Sequence, residues 1–499
     1  MSGQCAFVRF LHFGRRHRDP AVPLEPEELI RAELFSIERL EQHGESLARE
    51  QGSVAGRGGR SLGKRLDDND RVLRSAHRTI AAASREERAI TPAAEWLVDN
   101  FHVVEEQIRE IRDDLPDGYY RQLPKLATGP LTGFPRVYGL AWAFVAHTDS
   151  LLDPVALERF VHAYQRVQPL TIGELWAVAI TLRIVLVENL RRASLGIVSR
   201  RAARQDADAL ADEILEGSAG TEMVSLEASR LPTAFAVQLV HRLQHHDPVV
   251  TPALVWLGER LALQGTTPDA IVQEEHRRQG ATNVTVRNVI TSMRLMSVVD
   301  WTEFFERTSL VDAVLDVEGE FTAMDFPTRD RYRHAIEDLA RGSRHSELEV
   351  ARRAIAATTR GDTAMDGGAD DSSRAAAARR RRQDPGYYLI AAGRRFFEVE
   401  LGFRVPIRSW LPRARRAMGI VGYLATVALL SALCLAAPNF RTGAACWLRR
   451  RRSELGRYHG QAQAFRQPPR RGSKTRGAGC VRRRAGTSLP EGTGARSRE

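Results

Sequence analysis

The stretch from Met418 to Ala437 divides this chain in two, because it is the one uninterrupted apolar run near membrane-spanning length and carries no charged residue. At about 1.5 Å rise per residue, a helix of that length crosses a hydrocarbon core of roughly 30 Å. Arg413, Arg415 and Arg416 precede the run and Arg441 follows it, as interfacial anchors would. A transmembrane helix over 418–437 is expected, with a buried core helix as the competing reading. Arginines at both ends leave its orientation weakly set.

The net charge of +11 describes the tail and not the body. From Arg408 onward there are about 20 Lys/Arg and about 3 Asp/Glu, against 73 and 62 in the whole chain, so the residues before it are mildly acidic. Such a body is no nucleic-acid glove, and no nucleic-acid partner is expected. Cysteine occurs at Cys5, Cys434, Cys446 and Cys480, so the long interval between the first two cannot rest on disulfides or thiolate metal sites. A reducing, cytosolic setting fits the body. The arginines at 9, 15, 16 and 18 surround only a short apolar patch, which is no secretory signal.

Apolar spacing through the body is helical nearly throughout, and alternation of the strand type is almost absent, so the fold class is all-α. Leu24 to Glu50 repeats apolar residues at Leu29, Ile30, Leu34, Ile37 and Leu40, and predicts a helix; Gln51 to Gly63 reads as a Gly/Arg/Ser linker. Thr91 before Pro92 is a helix start that can run through Trp96, Phe101, Val104 and Ile108 to Leu115. Thr171 to Arg192 is the most apolar part of the body, but Arg183 within it would be costly in a membrane, so a central core helix is expected. Further helices are expected over Leu231–Gln244, Pro252–Leu263, Val284–Val299, Trp301–Leu315 and Arg329–Thr358. One internal echo stands out: Thr91-Pro92-Ala93-Ala94-Glu95-Trp96-Leu97 and Thr251-Pro252-Ala253-Leu254-Val255-Trp256-Leu257. It fits a duplicated helical unit and, equally, shared capping chemistry.

Motifs of catalysis or metal binding resolve into local structure. Gly58-Gly59-Arg60-Ser61-Leu62-Gly63-Lys64-Arg65 has phosphate-loop spacing up to its lysine, but Arg65 stands where Ser or Thr would hold magnesium and no buried strand precedes it. Asp68-Asn69-Asp70 and Asp206-Ala207-Asp208 match an Asp-x-Asp metal motif, yet lie in helical, charge-rich surroundings. His102 with Glu106, and His245-His246-Asp247, each offer two ligands with no third at a recognisable spacing. Trp96, Trp142, Trp176, Trp256 and Trp301, with Tyr119, Tyr120 and Tyr138, could stack on sugar rings or fill the core. No catalytic, cofactor-binding or metal residue is assigned from these patterns.

Several long runs resemble the N-terminal region of bacterial cyclic β-1,2-glucan synthases, over Pro26 to about Phe403. They are Glu33-Leu34-Phe35-Ser36-Ile37-Glu38-Arg39-Leu40-Glu41, the stretch Trp96 to Gln107, Tyr119-Tyr120-Arg121-Gln122-Leu123-Pro124, Pro169 to Ala177, and Met324 to Arg333. The resemblance implies a large inner-membrane glucosyltransferase fed by UDP-glucose with a divalent metal, of which this chain resembles only the first part. The family's transferase signatures, including Gln-x-x-Arg-Trp, have no counterpart here, so no catalytic residue carries over.

The expected organisation is a disordered N-terminus at 1–23, a helical domain at 24–360, a flexible linker at 361–383, a juxtamembrane segment at 384–417, the span at 418–437 and a disordered basic tail at 438–499. The tail reads as an out-of-frame translation of GC-rich DNA, with a genuine basic segment that binds anionic lipid as the competing reading. The expected function is the membrane-anchored N-terminal part of a glucan synthase, truncated or frameshifted after its first membrane helix, with its body in the cytosol, a scaffolding role, and no transfer of glucose alone. Expected partners are the inner membrane and the remaining synthase domains or growing glucan. Two alternatives remain open: a stand-alone membrane-tethered interaction module, and a cryptic glycan-active enzyme using carboxylates such as Glu105 or Glu174.

Overall fold

The computed structural model describes residues 28–54, 59–86, 90–115, 118, 120–216, 230–244, 251–316, 320–363 and 380–404, together with 424, 425, 427, 428, 430 and 431. Helices dominate: α1 Ile37–Glu50, α2 Leu62–Arg85, α3 Pro92–Asp99, α4 Phe101–Asp114, α5 Arg136–His147, α6 Pro154–Val167 and α7 Ile172–Leu215. They continue as α8 Thr233–Leu243, α9 Thr251–Leu263, α10 Pro268–Met296, α11 Trp301–Thr308, α12 Leu310–Leu315, α13 Phe326–Gly342, α14 Glu347–Thr363, α15 Pro385–Leu389 and α16 Arg394–Glu400. Among the described residues the strands are β1 Ser53–Val54 and β2 Lys125–Leu126, paired antiparallel with Ser53 opposite Leu126.

Helix α7 organises the body. Its start is fixed by a capping box: the Thr171 hydroxyl accepts the Glu174 amide proton while Glu174 accepts from the Thr171 amide, satisfying two otherwise orphaned donors. Its 44 residues span about 66 Å. From Ile172 to Ala193 it is buried on nearly every side, as an apolar helix without a polar face must be. Helices α2, α4, α5, α8 and α10 pack around it. Arg183, the residue that argued against a membrane span, reaches Glu110 and Asp114 on α4 at 3.1 and 3.7 Å.

Among the described residues two apolar cores result. The larger joins α1 to α6 and the first half of α7 to the end of α10 and to α11–α16. The smaller gathers Leu210 and Ile214 of α7, Leu239 and Leu243 of α8, Leu257 and Leu261 of α9, and Ile271 of α10.

Several elements are shorter than their apolar spacing suggests. Residues 28–36 are not helical: the Asn189 amide accepts the Ile30 N–H at 2.7 Å and donates to the Ile30 carbonyl at 3.2 Å, pinning the backbone from the side. Ala32 and Phe35 donate to the carbonyls of Ala146 and His147. The helix begins only at Ile37, capped by Ser36. The run expected from Thr91 to Leu115 breaks at Asn100, whose side chain donates to the Trp96 carbonyl at 2.8 Å and accepts from Arg294. Ser309 splits the helix expected over Trp301–Leu315 by capping α12. Residues 343–346 separate α13 from α14. The linker expected at Gln51–Gly63 holds β1 and the Ser61 cap of α2. The echoed heptapeptides start helices of different length, 8 and 13 residues, in the two different cores.

Among the described residues no helix is long and apolar enough to cross a membrane. Of the expected span, Leu424, Ala425, Val427, Ala428, Leu430 and Ser431 are described, helical and exposed. The rest of it lies outside the described residues, as do the expected N-terminus 1–23, most of the linker, the juxtamembrane residues 405–417 and the tail.

Candidate functional site

The carboxylates singled out in the sequence are mostly bound to arginine. Asp68 is exposed and pairs with Arg71 at 3.0 Å, whereas Asp70 is buried between Arg74 and Arg112 at 2.7 and 2.9 Å. The intervening Asn69 is fully buried. The two aspartates therefore meet different surroundings and do not converge on a metal. Asp208 accepts from Gln238 at 2.8 Å and faces Arg242 at 3.6 Å. His102 and Glu106 are exposed on α4, and His245-His246-Asp247 lies outside the described residues. Among the described residues no group of His, Cys, Asp and Glu could hold a metal ion. Nothing among the described residues fits the divalent metal implied by the resemblance.

Glu105 pairs with Arg74. Glu174 is completely buried and gripped in two-pronged fashion by Arg136, with Nε donating at 2.9 Å and Nη2 at 2.5 Å. A second clamp holds Glu188 with Arg65, Arg191 and Arg192, at 2.5, 2.8 and 3.0 Å. Burial alone would raise the Glu188 carboxyl, but hydrogen bonds from Arg65 and Arg191 outweigh it and hold its pKa at about 2. In a third, buried Arg333 donates to Asp312 at 2.5 Å and lies 4.8 Å over the Phe305 ring. The Gly58–Arg65 stretch ends in these clamps: Ser61 caps α2, and Arg65 joins α2 to α7.

The tryptophans separate. Trp301 donates to the Met296 carbonyl at 2.9 Å, Trp142 lies under Arg192, and Trp256 packs on the smaller core. Trp96, 37% exposed, faces Arg287 at 6.0 Å. Tyr138 is buried and Tyr119 is outside the described residues. Trp176 and Tyr120, however, meet in a cleft of about 300 Å³ lined also by Asp114, Ile172, Ile180, Asp330, His334 and Glu337. Its two walls follow from helical spacing. Ile172, Trp176 and Ile180 recur every fourth residue along α7 and form an apolar stripe, and Asp330, His334 and Glu337 recur at four and three along α13 and form a polar one. Asp114, at the end of α4, and Tyr120 complete the lining.

The indole is held from behind. Phe305 stacks on it at 4.3 Å with the rings 13° apart, and Phe326 meets it edge-on at 6.4 Å. Burial, aided by the charge of Asp114, pushes the Tyr120 phenol up, so it stays a neutral donor. Beside the cleft the Glu347 carboxylate accepts the Ile172 N–H at 2.6 Å. Burial, then the charges of Glu337 and Glu174, push Glu347 up to about 7 against the opposing pull of that N–H. The spacing of each wall is legible in the sequence, but the pairing of α7 with α13 is not.

No family model matches the chain. Among curated proteins it is similar to the cyclic beta-(1,2)-glucan synthase NdvB of Rhizobium meliloti (strain 1021), 38% identical over 348 residues. The match covers 67% of this chain and 12% of that protein, so the chain spans about an eighth of the relative's length.

Proposed function

From the premise that this chain is a counterpart of the N-terminal region of a cyclic β-1,2-glucan synthase, we propose that it is a non-catalytic helical scaffold of a glucan-polymerising, membrane-associated protein. In the intact enzyme it supports a glucosyltransferase that uses UDP-glucose and a divalent metal. The apolar run at 418–437 anchors it in the inner membrane, with the helical body on the cytosolic side.

The observation that carries the non-catalytic reading is the pairing of the carboxylates considered for chemistry. A general acid or base must exchange a proton with a substrate, and a carboxylate locked in a charge-assisted pair is poorly placed to do so. Glu105 and Glu174, the two considered for chemistry, are each taken up by an arginine. The same holds for Glu188 and Asp312. These clamps tie α2 to α4, α5 to α7, α2 to α7 and α12 to α13, which is what a rigid support needs. Incubation of the purified chain with UDP-[¹⁴C]glucose and Mg²⁺ or Mn²⁺ tests the reading. No labelled glucan is expected, and any processive product overturns it.

A further inference from the structure

We infer that the cleft between α7 and α13 binds a neutral pyranose unit of a glucan chain. This rests on the reading of the chain as a scaffold within a glucan-polymerising protein, and goes beyond it by assigning a ligand site. A pyranose ring presents an apolar C–H face and a rim of hydroxyls. It is met best by an aromatic platform beside planar acceptors, an arrangement typical of small-ligand clefts that are mostly apolar with a few converging polar groups. The cleft has both on opposite walls: Ile172, Trp176 and Ile180 on one, and Asp330, His334 and Glu337 on the other.

The platform is preorganised. Phe305 backs the indole, and Phe305 is itself buried against the guanidinium of Arg333. A rigid ring loses little freedom when a sugar stacks on it. The volume of about 300 Å³ lies at the lower end for small-ligand sites, which suits one ring of a chain that continues out through the open side.

Charge selects the ligand class. Three carboxylates line the cleft, at Asp114, Asp330 and Glu337, and among the described residues neither Lys nor Arg does. The adjacent guanidiniums of Arg183 and Arg341 are engaged with Asp114 and Glu337. With those guanidiniums taken up and His334 lying 3.2 Å from Asp330, a nucleotide diphosphate would find no lining Lys or Arg among the described residues to pair with, whereas sugar hydroxyls donate to carboxylates. A metal ion is disfavoured by the same geometry, since the three acids stand on separate stretches of α4 and α13 and no ligating group forms among the described residues. The site therefore fits the polymer and not its activated precursor.

The test uses the full chain in a polyoxyethylene-ether detergent, which has no sugar headgroup to compete. Linear β-1,2-linked gluco-oligosaccharides are titrated by calorimetry and by tryptophan fluorescence. Saturable binding is expected, weakened about tenfold or more in Asp330→Asn and in Glu337→Gln, because each removes a charged acceptor. Asp330 lies near the surface, so its variant keeps the fold even if Trp176→Ala, which strips the ring from Phe305, does not. UDP and Mn²⁺ are expected to leave the oligosaccharide isotherm unchanged. Absence of saturable binding, affinity unaltered in both carboxylate variants, or displacement of the glucan by UDP each overturns the inference. Glucose transfer by the chain would instead overturn the scaffold reading, which the labelled-donor assay detects separately.

Discussion

Glu188 and Glu347 show how neighbours decide the fate of a carboxylate. Both are largely shielded from water, yet three arginines keep Glu188 ionised, whereas Glu347 has one backbone N–H, two other carboxylates nearby and only the weaker pull of Arg341. The consequence for stability follows from the direction of the shift. Glu347 has its folded pKa raised from 4.5 to about 7. Between those values the folded state keeps a proton that the unfolded state has lost, so stability falls as pH rises through the window, and the penalty is complete above it. Glu347→Gln keeps an acceptor for the Ile172 N–H without the charge. It is expected to flatten this part of the pH–stability curve and to stabilise the protein at pH 8 by up to about 3 kcal/mol. Urea unfolding of the two proteins from pH 4.5 to 8 checks this, and parallel curves would contradict it. Neither environment is visible from the sequence, where both residues are simply glutamates in helical stretches.

At the level of elements, starts were more legible than ends. Thr91-Pro92 and Thr171-x-x-Glu174 are local signals, because the cap and the amides it satisfies lie within one turn. Breaks come from afar. Asn100 ends α3 with the help of Arg294 on α10, and the residues before α1 are straightened by Asn189 on α7. The junction after α13 is similar: the Phe403 ring sits against Gly342 where a Cβ would stand, and the Arg404 N–H donates to the Gly342 carbonyl at 2.8 Å. Gly342→Ala is therefore expected to displace Phe403 and to destabilise this contact by about 1–3 kcal/mol, despite the better helix propensity of alanine. Limited proteolysis should then cut near Phe403 earlier than in the parent protein. Unchanged cleavage would show that the ring accommodates the methyl group.

On the scale of the molecule, two cores of unequal size share the long helices α7 and α10. A smaller core buries less apolar surface and opens at lower free energy. Amides of Leu239 and Leu257 are expected to exchange with deuterium faster than those of Val187 and Leu190, by tenfold or more. Equal protection would mean that the shared helices make the body a single cooperative unit. The sequence by itself determined that the body is helical, where many helices begin, that its charge is segregated toward the tail, and which family it resembles. Those properties depend on neighbours within a turn or on composition. Only the tertiary structure decided which arginine meets which carboxylate, since Arg65 and Glu188 lie 123 residues apart. It likewise decided that the apolar stripe of α7 should face the acidic stripe of α13. Helical periodicity fixes the face a side chain occupies, but the partner of that face is chosen by packing across the whole fold.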